Sequence, residues 1–227
     1  SGSAAYALVL SLVRRSAELK GRIYVSPLFS GGRLVKSGVG GRHVLLEPGT
    51  PLELEAVAEA HDARLLLEGA ASGGEVRLEC GRLVVEEAEA SELRPELEDR
   101  AGLASVRLYF YPTAFMFHGI DVLRPSAVRL AYSLAKAYRA LFGRDLKQYA
   151  DRAATALEFT TDAVRRTKVD IGGGRRVPAF YGPATLAVYG NVGLWLSLLR
   201  LGEHVGVGVS RAIGFGRYKL VVIELRQ

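Results

Sequence analysis

Hydrophobic and polar positions alternate most clearly in the second half of the chain. Val106, Leu108 and Phe110 alternate with polar or amphipathic residues, and this period of two predicts a strand. An amphipathic run follows Ser126 and ends at Phe142, which predicts a capped helix. The pattern after this helix predicts strands over residues 156–170 and 175–189. It then predicts an apolar helix over residues 192–201 and a last strand over residues 218–225.

The first half shows a similar series of elements in a less regular pattern. Apolar residues spaced three and four apart predict a first helix over residues 4–19. Thr50 and Pro51 are typical of a helix start, so a second helix is predicted over residues 52–60. The strands of this half are predicted over residues 23–29, 43–47, 75–80 and 82–87.

The order of the predicted elements indicates the fold class. Strand, helix, two strands, helix, strand is the ferredoxin-like order, and the second half contains it completely. The first half lacks only an opening strand, which would precede Ser1, and the acidic stretch around Pro95 separates the halves. We therefore predict an α+β chain of two tandem ferredoxin-like (βαββαβ) modules, over residues 1–92 and 103–227.

The composition is that of a globular protein with enough apolar residues for two cores. The chain has 227 residues, of which 49% are hydrophobic. No apolar run reaches the roughly 18 residues needed to cross a bilayer, so we expect no membrane partner. Cys80 is the single cysteine, which excludes an internal disulfide and a cysteine-based zinc site and favours a cytoplasmic location. We expect no metal and no other cofactor.

Charge is distributed unevenly along the chain, although the net charge is only +6. Residues 1–46 carry seven Lys or Arg and one acidic residue. Residues 47–100 carry five Lys or Arg and fifteen acidic residues. Residues 101–227 are basic again, with eighteen Lys or Arg and eight acids. A basic surface built from both ends of the chain is typical of nucleic-acid binding. A solvated mixed-charge surface, common where thermostability is selected, is the alternative.

A glycine-rich loop, "VGVGVSRAIGFG", is predicted over residues 205–216, between the last helix and the last strand. Nucleotide-binding phosphate loops precede a helix instead, so a nucleotide cofactor is not expected. One hypothesis is that the loop's backbone amides and Arg211 face phosphates; a tight helix-to-strand connection is the alternative. The first hypothesis gives these RNA-binding candidates: Gly206, Gly208, Ser210, Arg211, Gly214, Gly216, Arg217 and Lys219.

A basic hairpin is predicted over residues 165–177, "RRTKVDIGGGRRV". Four arginines and one lysine around a triple-glycine turn suit a β-ribbon that contacts RNA phosphates, with Arg175 and Arg176 as the RNA-binding candidates. An exposed sheet edge that is protected from pairing by its charge is the alternative.

Three motifs together resemble a known family. "GVGVSRAIGFGRYKL" resembles the signature glycine-rich loop of the CRISPR-associated endoribonucleases that process precursor CRISPR RNA, within the repeat-associated mysterious protein superfamily. "YVSPLF", at residues 24–29, is similar to the Ser-Pro-Leu strand after the family's first helix. "YPTAF", at residues 111–115, is similar to the start of its second module, with Tyr111 in place of the usual serine.

The resemblance implies an RNA-binding endoribonuclease that cleaves precursor CRISPR RNA into guide RNAs without a metal ion. The ribose 2′-hydroxyl attacks the adjacent 3′-phosphate, giving a 2′,3′-cyclic phosphate and a free 5′-hydroxyl. CRISPR repeat RNA is then the main partner, and subunits of an effector complex or a second copy of the chain are further expected partners. The alternative within the superfamily is a non-catalytic subunit that binds guide RNA in an effector complex.

The resemblance also directs attention to the stretch between the first helix and the Ser-Pro-Leu strand. Many relatives have a catalytic histidine there, and this chain has none. The catalytic candidates are Lys20 and Arg22 as cations, and His43, in a basic stretch, as a displaced acid or base. Because arginine cannot deprotonate a hydroxyl at neutral pH, weak activity is expected.

Overall fold

The computed structural model describes residues 2–13, 23–35, 44–72, 75–78, 81–171 and 175–226. It combines helices with antiparallel sheets, so the predicted α+β class is confirmed. Within the described ranges, none of the helices has the length and apolar character needed to cross a membrane. The limits predicted for the two modules, 1–92 and 103–227, stay predictions.

The N-terminal half is built from short elements. They are helix α1 (Gly2–Ser11), strands β1 (Tyr24–Val25), β2 (Phe29–Ser30), β3 (Arg33–Leu34) and β4 (Ala56–Val57), helix α2 (Ala60–Ala71), and strands β5 (Glu75–Leu78) and β6 (Gly81–Val84). Antiparallel pairs form between β1 and β4, β2 and β3, and β5 and β6. An apolar cluster that includes Val9, Ile23 and Val25 joins α1 to β1.

The helix predicted over residues 52–60 is wrong. Glu53 and Phe29 exchange backbone hydrogen bonds of 2.8 and 2.9 Å, and the Ser26 amide donates to the Glu55 carbonyl at 2.8 Å. This segment therefore pairs with the chain that follows β1, and helix α2 begins only at residue 60. The Thr50 hydroxyl donates to the Glu47 carbonyl instead of capping a helix. Residues 44–47, predicted as strand, have no regular secondary structure.

The C-terminal half contains the main sheet. Its elements are β7 (Ala101–Thr113), β8 (Phe115–Phe117), β9 (Ile120–Val122), α3 (Ala127–Phe142), α4 (Lys147–Asp151), α5 (Ala153–Ala156), β10 (Leu157–Asp162), β11 (Arg165–Asp170), β12 (Arg176–Asn191), α6 (Val192–Val205), a 3₁₀ turn (Arg211–Ile213) and β13 (Tyr218–Arg226). The strand order is β10-β12-β7-β13, and every pair is antiparallel. This is the ferredoxin-like arrangement. In addition, β11 pairs with β12, on the part of β12 that extends beyond its pairing with β10.

Helices α3 and α6 pack on one face of this sheet. Ser126 caps α3, as predicted, because its hydroxyl accepts the Arg129 amide. Leu108 of β7, Leu134 of α3 and Leu199 of α6 belong to one cluster and have no exposed surface. Burial of each such leucine contributes about 1.5–3 kcal/mol to folding. The positions of the ends of α6 and β7 are therefore fixed by a large core.

The acidic stretch between the halves has no regular secondary structure over residues 85–100, so the strand predicted over residues 82–87 ends at Val84 instead. It is nevertheless packed against α6. The Ser197 hydroxyl donates to the Glu96 carbonyl at 2.5 Å, and Leu93 and Leu97 lie against the main cluster. The stretch is therefore anchored to the C-terminal half and is not a free linker.

Candidate functional site

The glycine-rich loop turns through four left-handed glycines between α6 and β13. Gly206, Gly208, Gly214 and Gly216 have φ values of 69°, 84°, 81° and 79°. Ser210, which directly precedes the 3₁₀ turn, also has a positive φ, of 58°. Glycine is the residue that adopts this region without steric cost. The loop sequence therefore matches the backbone path that the loop follows.

The loop lies very close to the backbone on three sides. A Cβ atom on Gly216 would lie 1.8 Å from the Val207 carbonyl oxygen, and one on Gly208 would lie 2.2 Å from the Ala114 carbonyl oxygen. On Gly214 it would lie 2.7 Å from the backbone nitrogen of Pro27, in the Ser-Pro-Leu segment. No larger residue fits at these positions without movement of the backbone. The glycines therefore hold the loop against both halves of the chain.

The amide protons of the four glycines already have acceptors in the protein. In chain order, those acceptors are the carbonyl of Gly202, the hydroxyl of Ser133, the carbonyl of Arg211 and the carbonyl of Pro112, at 2.9–3.1 Å. These amides are therefore already used within the protein, and the RNA-binding roles of Gly206, Gly208, Gly214 and Gly216 stay predictions. Contact between RNA and the surface of the loop stays a prediction.

Arg211 connects the loop to the N-terminal half. Its guanidinium carbon lies 4.9 Å from the centre of the Tyr24 ring, and its Nη1 donates to the Ser133 carbonyl at 3.2 Å. Burial lowers the pKa of Arg211, and the contact with Tyr24 opposes that shift. Arg211 is half-buried, and Ser210 beside it is exposed. The predicted cation of the loop is therefore only partly exposed, and it lies against the strand that opens the Ser-Pro-Leu motif.

Arg217 has a different environment from the one predicted. Its residue is only 4% exposed, and its Nη1 donates to Glu55 Oε2 at 2.7 Å and to the Glu203 carbonyl at 2.8 Å. Burial lowers the pKa of Arg217, and the charge of Glu55 opposes that shift. The guanidinium of Arg217 is therefore buried and paired in this structure, and its RNA-binding role stays a prediction. Lys219, by contrast, is exposed.

The basic hairpin lies beside the loop. β11 and β12 form it in antiparallel register, and residues 172–174, its predicted turn, lie outside the described residues. Arg175 and Arg176 are exposed, and Asp170 is directly opposite Arg176. Val169 of the hairpin forms a small apolar cluster with Phe215 of the loop. The glycine-rich loop and the basic hairpin, the two segments that the sequence predicts to bind RNA, are therefore in contact.

The three predicted catalytic residues, Lys20, Arg22 and His43, lie outside the described residues. Their roles stay predictions. The described chain resumes at Ile23, and Tyr24 is the residue that carries Arg211 on its ring.

An ion-pair cluster that sequence spacing did not predict joins the halves. Nδ1 of His204, in the last turn of α6, lies 2.7 Å from Glu55 Oε1, and Glu55 also pairs with Arg217. The hydrogen bond with Glu55 raises the pKa of His204. Burial alone would raise the pKa of Glu55, but His204 and Arg217 hold it below its usual value. His204 and Glu55 are 149 positions apart, so no local pattern could indicate the pair.

A cavity of about 280 Å³ opens beside this cluster, between the two halves. The lining residues are Ser26, Phe29, Glu53, Leu54, Glu55, Tyr111, Glu203 and Arg217. The Phe29 and Tyr111 rings meet edge to face, with their centres 5.8 Å apart. Among the described residues, no group of three or more His, Cys, Asp or Glu side chains could hold a metal ion.

Comparison with known proteins gives a family match within the C-terminal half of the chain. The family model described as CRISPR-associated endoribonuclease Cas6 matches residues 108–218. Cas6 from Thermus thermophilus has a similar fold, with a TM-score of 0.67 and 17% identity over 97% of this chain and 91% of its own. The predicted family resemblance is confirmed. A search of curated proteins finds no match.

Two further solved structures show the same likeness of fold. A Cas6 product complex has a TM-score of 0.66 and 19% identity, over 97% of this chain and 93% of its own. A Cas6-related protein from Pyrococcus furiosus has a TM-score of 0.56 and 12% identity, over 98% and 91%. Because these Cas6-like folds span nearly the whole chain, the predicted tandem ferredoxin-like arrangement is confirmed.

Proposed function

We propose that this protein binds CRISPR repeat RNA and cleaves precursor CRISPR RNA into guide RNAs, by metal-independent attack of a ribose 2′-hydroxyl on the adjacent phosphate. The observation that carries the proposal is the contact of Arg211, in the glycine-rich loop, with Tyr24, at the start of the Ser-Pro-Leu motif. Two motifs of the family, nearly two hundred residues apart in the sequence, thereby form one surface.

The proposed chemistry needs a base at the 2′-oxygen, an acid at the 5′-oxygen and cations at the pentacoordinate phosphorus. Arg211 suits the last role because its guanidinium is held by Tyr24 and Ser133 before RNA arrives, so little reorganisation is needed. Lys20 and Arg22, just before β1, are the further cations that we propose, and His43 is the proposed proton carrier.

RNA binding is proposed to use the exposed charges around the loop. Lys219 follows the loop on β13, and Arg175 and Arg176 lie at the end of the basic hairpin, with Ser210 exposed between these segments in the sequence. Phosphate contacts of this kind release counterions, so affinity should fall steeply with salt. A Cas6 substrate mimic complex among the similar folds supports an RNA ligand of this kind.

The test is incubation of a labelled repeat RNA with excess protein in EDTA, followed by analysis of the product ends. A fragment ending in a 2′,3′-cyclic phosphate, formed in the chelator, is the expected result. Products that appear only when a divalent metal is added would contradict the metal-independent mechanism. Lys20→Ala should abolish product if cations dominate, whereas loss of product in His43→Ala would identify His43 as the acid or base.

One observation favours a second candidate function, a non-catalytic subunit that binds guide RNA in an effector complex. The sequence has no histidine before His43, and His204 in the described structure is bound to Glu55. Tight binding of the repeat with no product over hours would support this candidate and reject the nuclease. Effector subunits and a second copy of the chain stay predicted partners.

A further inference from the structure

The cavity between the halves is lined by groups of complementary chemistry. The rings of Phe29 and Tyr111 form apolar walls, and the buried Arg217 supplies positive charge. The carboxylates of Glu53 and Glu55 stand at exposed positions. Its volume of about 280 Å³ lies just below the lower end for drug-sized ligands, so the cavity suits a smaller planar group.

The three carboxylates of the cavity differ in how far their oxygens are already used. Glu55 binds Arg217 and His204, and Glu203 accepts the Leu220 amide at 2.7 Å. The Glu53 side chain takes no hydrogen bond or ion pair from the described residues. Glu53 is therefore the carboxylate that is available to accept hydrogen bonds from a ligand.

Arg217 has a hydrogen-bond donor that lacks an acceptor. Its Nη1 binds Glu55 and Glu203, but its Nη2 is buried without a hydrogen-bond partner among the described residues. A buried charged donor that lacks an acceptor is costly, and such groups commonly signal a missing ligand or water. Because Arg217 lines the cavity, a ligand with an acceptor oxygen next to N–H donors would satisfy Nη2 once the guanidinium turns that nitrogen toward the cavity.

We propose that this cavity binds an unstacked guanine of the RNA, with guanine O6 toward Arg217 and the N1–H and N2–H groups donating to Glu53. Guanine carries an acceptor and two adjacent donors on one edge, and arginine is the usual partner of O6. Adenine and cytosine lack an N–H donor next to a carbonyl acceptor in this order. Bases splayed from single strands are commonly held beside aromatic side chains, as Phe29 and Tyr111 would hold this one.

The charge of the cavity favours a base over a phosphate. The carboxylates of Glu53 and Glu55 at the rim repel the negatively charged RNA backbone, whereas a neutral base is not repelled. Lys219, exposed two residues after Arg217, is suited to the adjoining phosphate. The guanine site deepens the proposed function and rests on its RNA ligand, but not on cleavage.

The test measures binding of fluorescein-labelled ten-nucleotide uridine RNA by anisotropy. One central position is replaced by guanosine, adenosine, cytidine or inosine. The guanosine probe should bind at least about fivefold more tightly than the all-uridine probe, since one good base-specific pair discriminates by about that much or more. Inosine, which lacks the N2 amino group, should fall between them. Equal affinities for the guanosine and adenosine probes would overturn the proposal.

Glu53→Gln provides the decisive variant, with Glu68→Gln as its control. Glu68 is exposed on α2 and does not line the cavity. Glu53→Gln should reduce the ratio of guanosine-probe to all-uridine-probe affinity to about one and leave the Tm unchanged, whereas Glu68→Gln should change neither the ratio nor the Tm. A guanosine preference that survives in Glu53→Gln would overturn the site. Guanosine monophosphate that binds as tightly as the RNA probe would assign the cavity to a free nucleotide and also overturn it.

These outcomes are separate from those of the proposed function. The uridine probes carry no repeat sequence, and cleavage is read from product ends of a different RNA. Loss of the guanosine preference with cleavage intact would reject the guanine site alone. Absence of cleavage with the preference intact would reject the nuclease alone.

Discussion

The glycine-rich loop and the basic hairpin look alike in the sequence but differ in the structure. Both combine arginine with several glycines, with one arginine in the loop and four in the hairpin, and the loop packs against the hairpin through Phe215 and Val169. In the loop, the glycine amides have protein acceptors, and Arg211 is held by Tyr24. In the hairpin, the arginines are exposed.

This difference separates two tasks that the proposed cleavage of RNA would require. A group fixed by the protein can stabilise charge in a transition state at little cost of reorganisation. Exposed arginines instead supply long-range attraction and phosphate contacts that weaken with salt. We therefore expect the loop to govern the rate and the fold, and the hairpin to govern affinity.

The largest effect should come from Gly216→Ala. The new Cβ would lie 1.8 Å from the Val207 carbonyl oxygen, at a residue with φ of 79°. Strain and overpacking together should lower the free energy of unfolding by about 3 kcal/mol or more, measured by urea denaturation. Gly49→Ala is the control, because Gly49 has φ of 80° but open space around it; its cost should be about 1–2 kcal/mol. Equal losses would show that the loop is not tightly packed.

A smaller loss of stability is expected from Arg217→Met. The change removes hydrogen bonds to Glu55 and the Glu203 carbonyl, but Glu55 is half-exposed and can be rehydrated. The free energy of unfolding should therefore fall by about 1–2 kcal/mol. Arg166→Met in the exposed hairpin should change it by less than about 0.5 kcal/mol. If the two variants are equally stable, Arg217 does not join the halves.

How far the sequence predicts the molecule depends on whether the signal is local. Helix α3 was predictable because its Ser126 cap and its apolar periodicity lie within the helix. The false helix over residues 52–60 also had local start signals, but its Glu53 backbone pairs with Phe29 across the fold. Tertiary hydrogen bonds outweighed propensity there.

The candidate site divides in the same way. The glycine motif and the hairpin charges were visible in the sequence, and the structure places them side by side. The burial of Arg217 was not predictable, since its partner Glu55 is 162 residues away and appeared only as one acid in an acidic stretch. Sequence identifies the residue types, whereas long-range packing decides which charges remain accessible.

The hairpin's role can be measured as a salt dependence of RNA binding. Replacing Arg175 and Arg176 with Gln should make the slope of log K against log[salt] less steep by about 1.4, since each single-strand phosphate contact contributes about 0.7. The control is the pair Arg64→Gln and Arg94→Gln, which removes the same charge from exposed positions in the acidic part of the chain. If the control changes the slope equally, only overall charge matters and the hairpin is not a specific contact.

The smallest effect should be the pH dependence contributed by His204. The pKa of His204 is raised above 6.5 by Glu55, so its stabilising effect is complete below about pH 6.5 and is lost as pH rises through the folded-state pKa. The pKa of Glu55 is lowered, so the stabilisation that Glu55 contributes is complete above about pH 4.5. That stabilisation is lost as the pH falls through the folded-state pKa of Glu55. Because the pair is partly exposed, its total should not exceed about 1 kcal/mol.

The matched measurement for this pair is the free energy of unfolding of wild type and His204→Gln. The difference between the two proteins should be larger near pH 5.5 than near pH 8.5. A difference that is the same at both pH values would mean that the charged pair does not stabilise the fold.

Single-turnover cleavage of labelled repeat RNA tests the division between loop and hairpin most directly. At saturating protein, Arg211→Gln should lower the cleavage rate by about 10²-fold and change the Kd by less than about threefold, because a prepositioned cation acts mainly in the transition state. The double variant Arg175→Gln and Arg176→Gln should raise the Kd and leave the saturating rate unchanged. The account would be contradicted if Arg211→Gln raised only the Kd while the hairpin variant lowered the saturating rate.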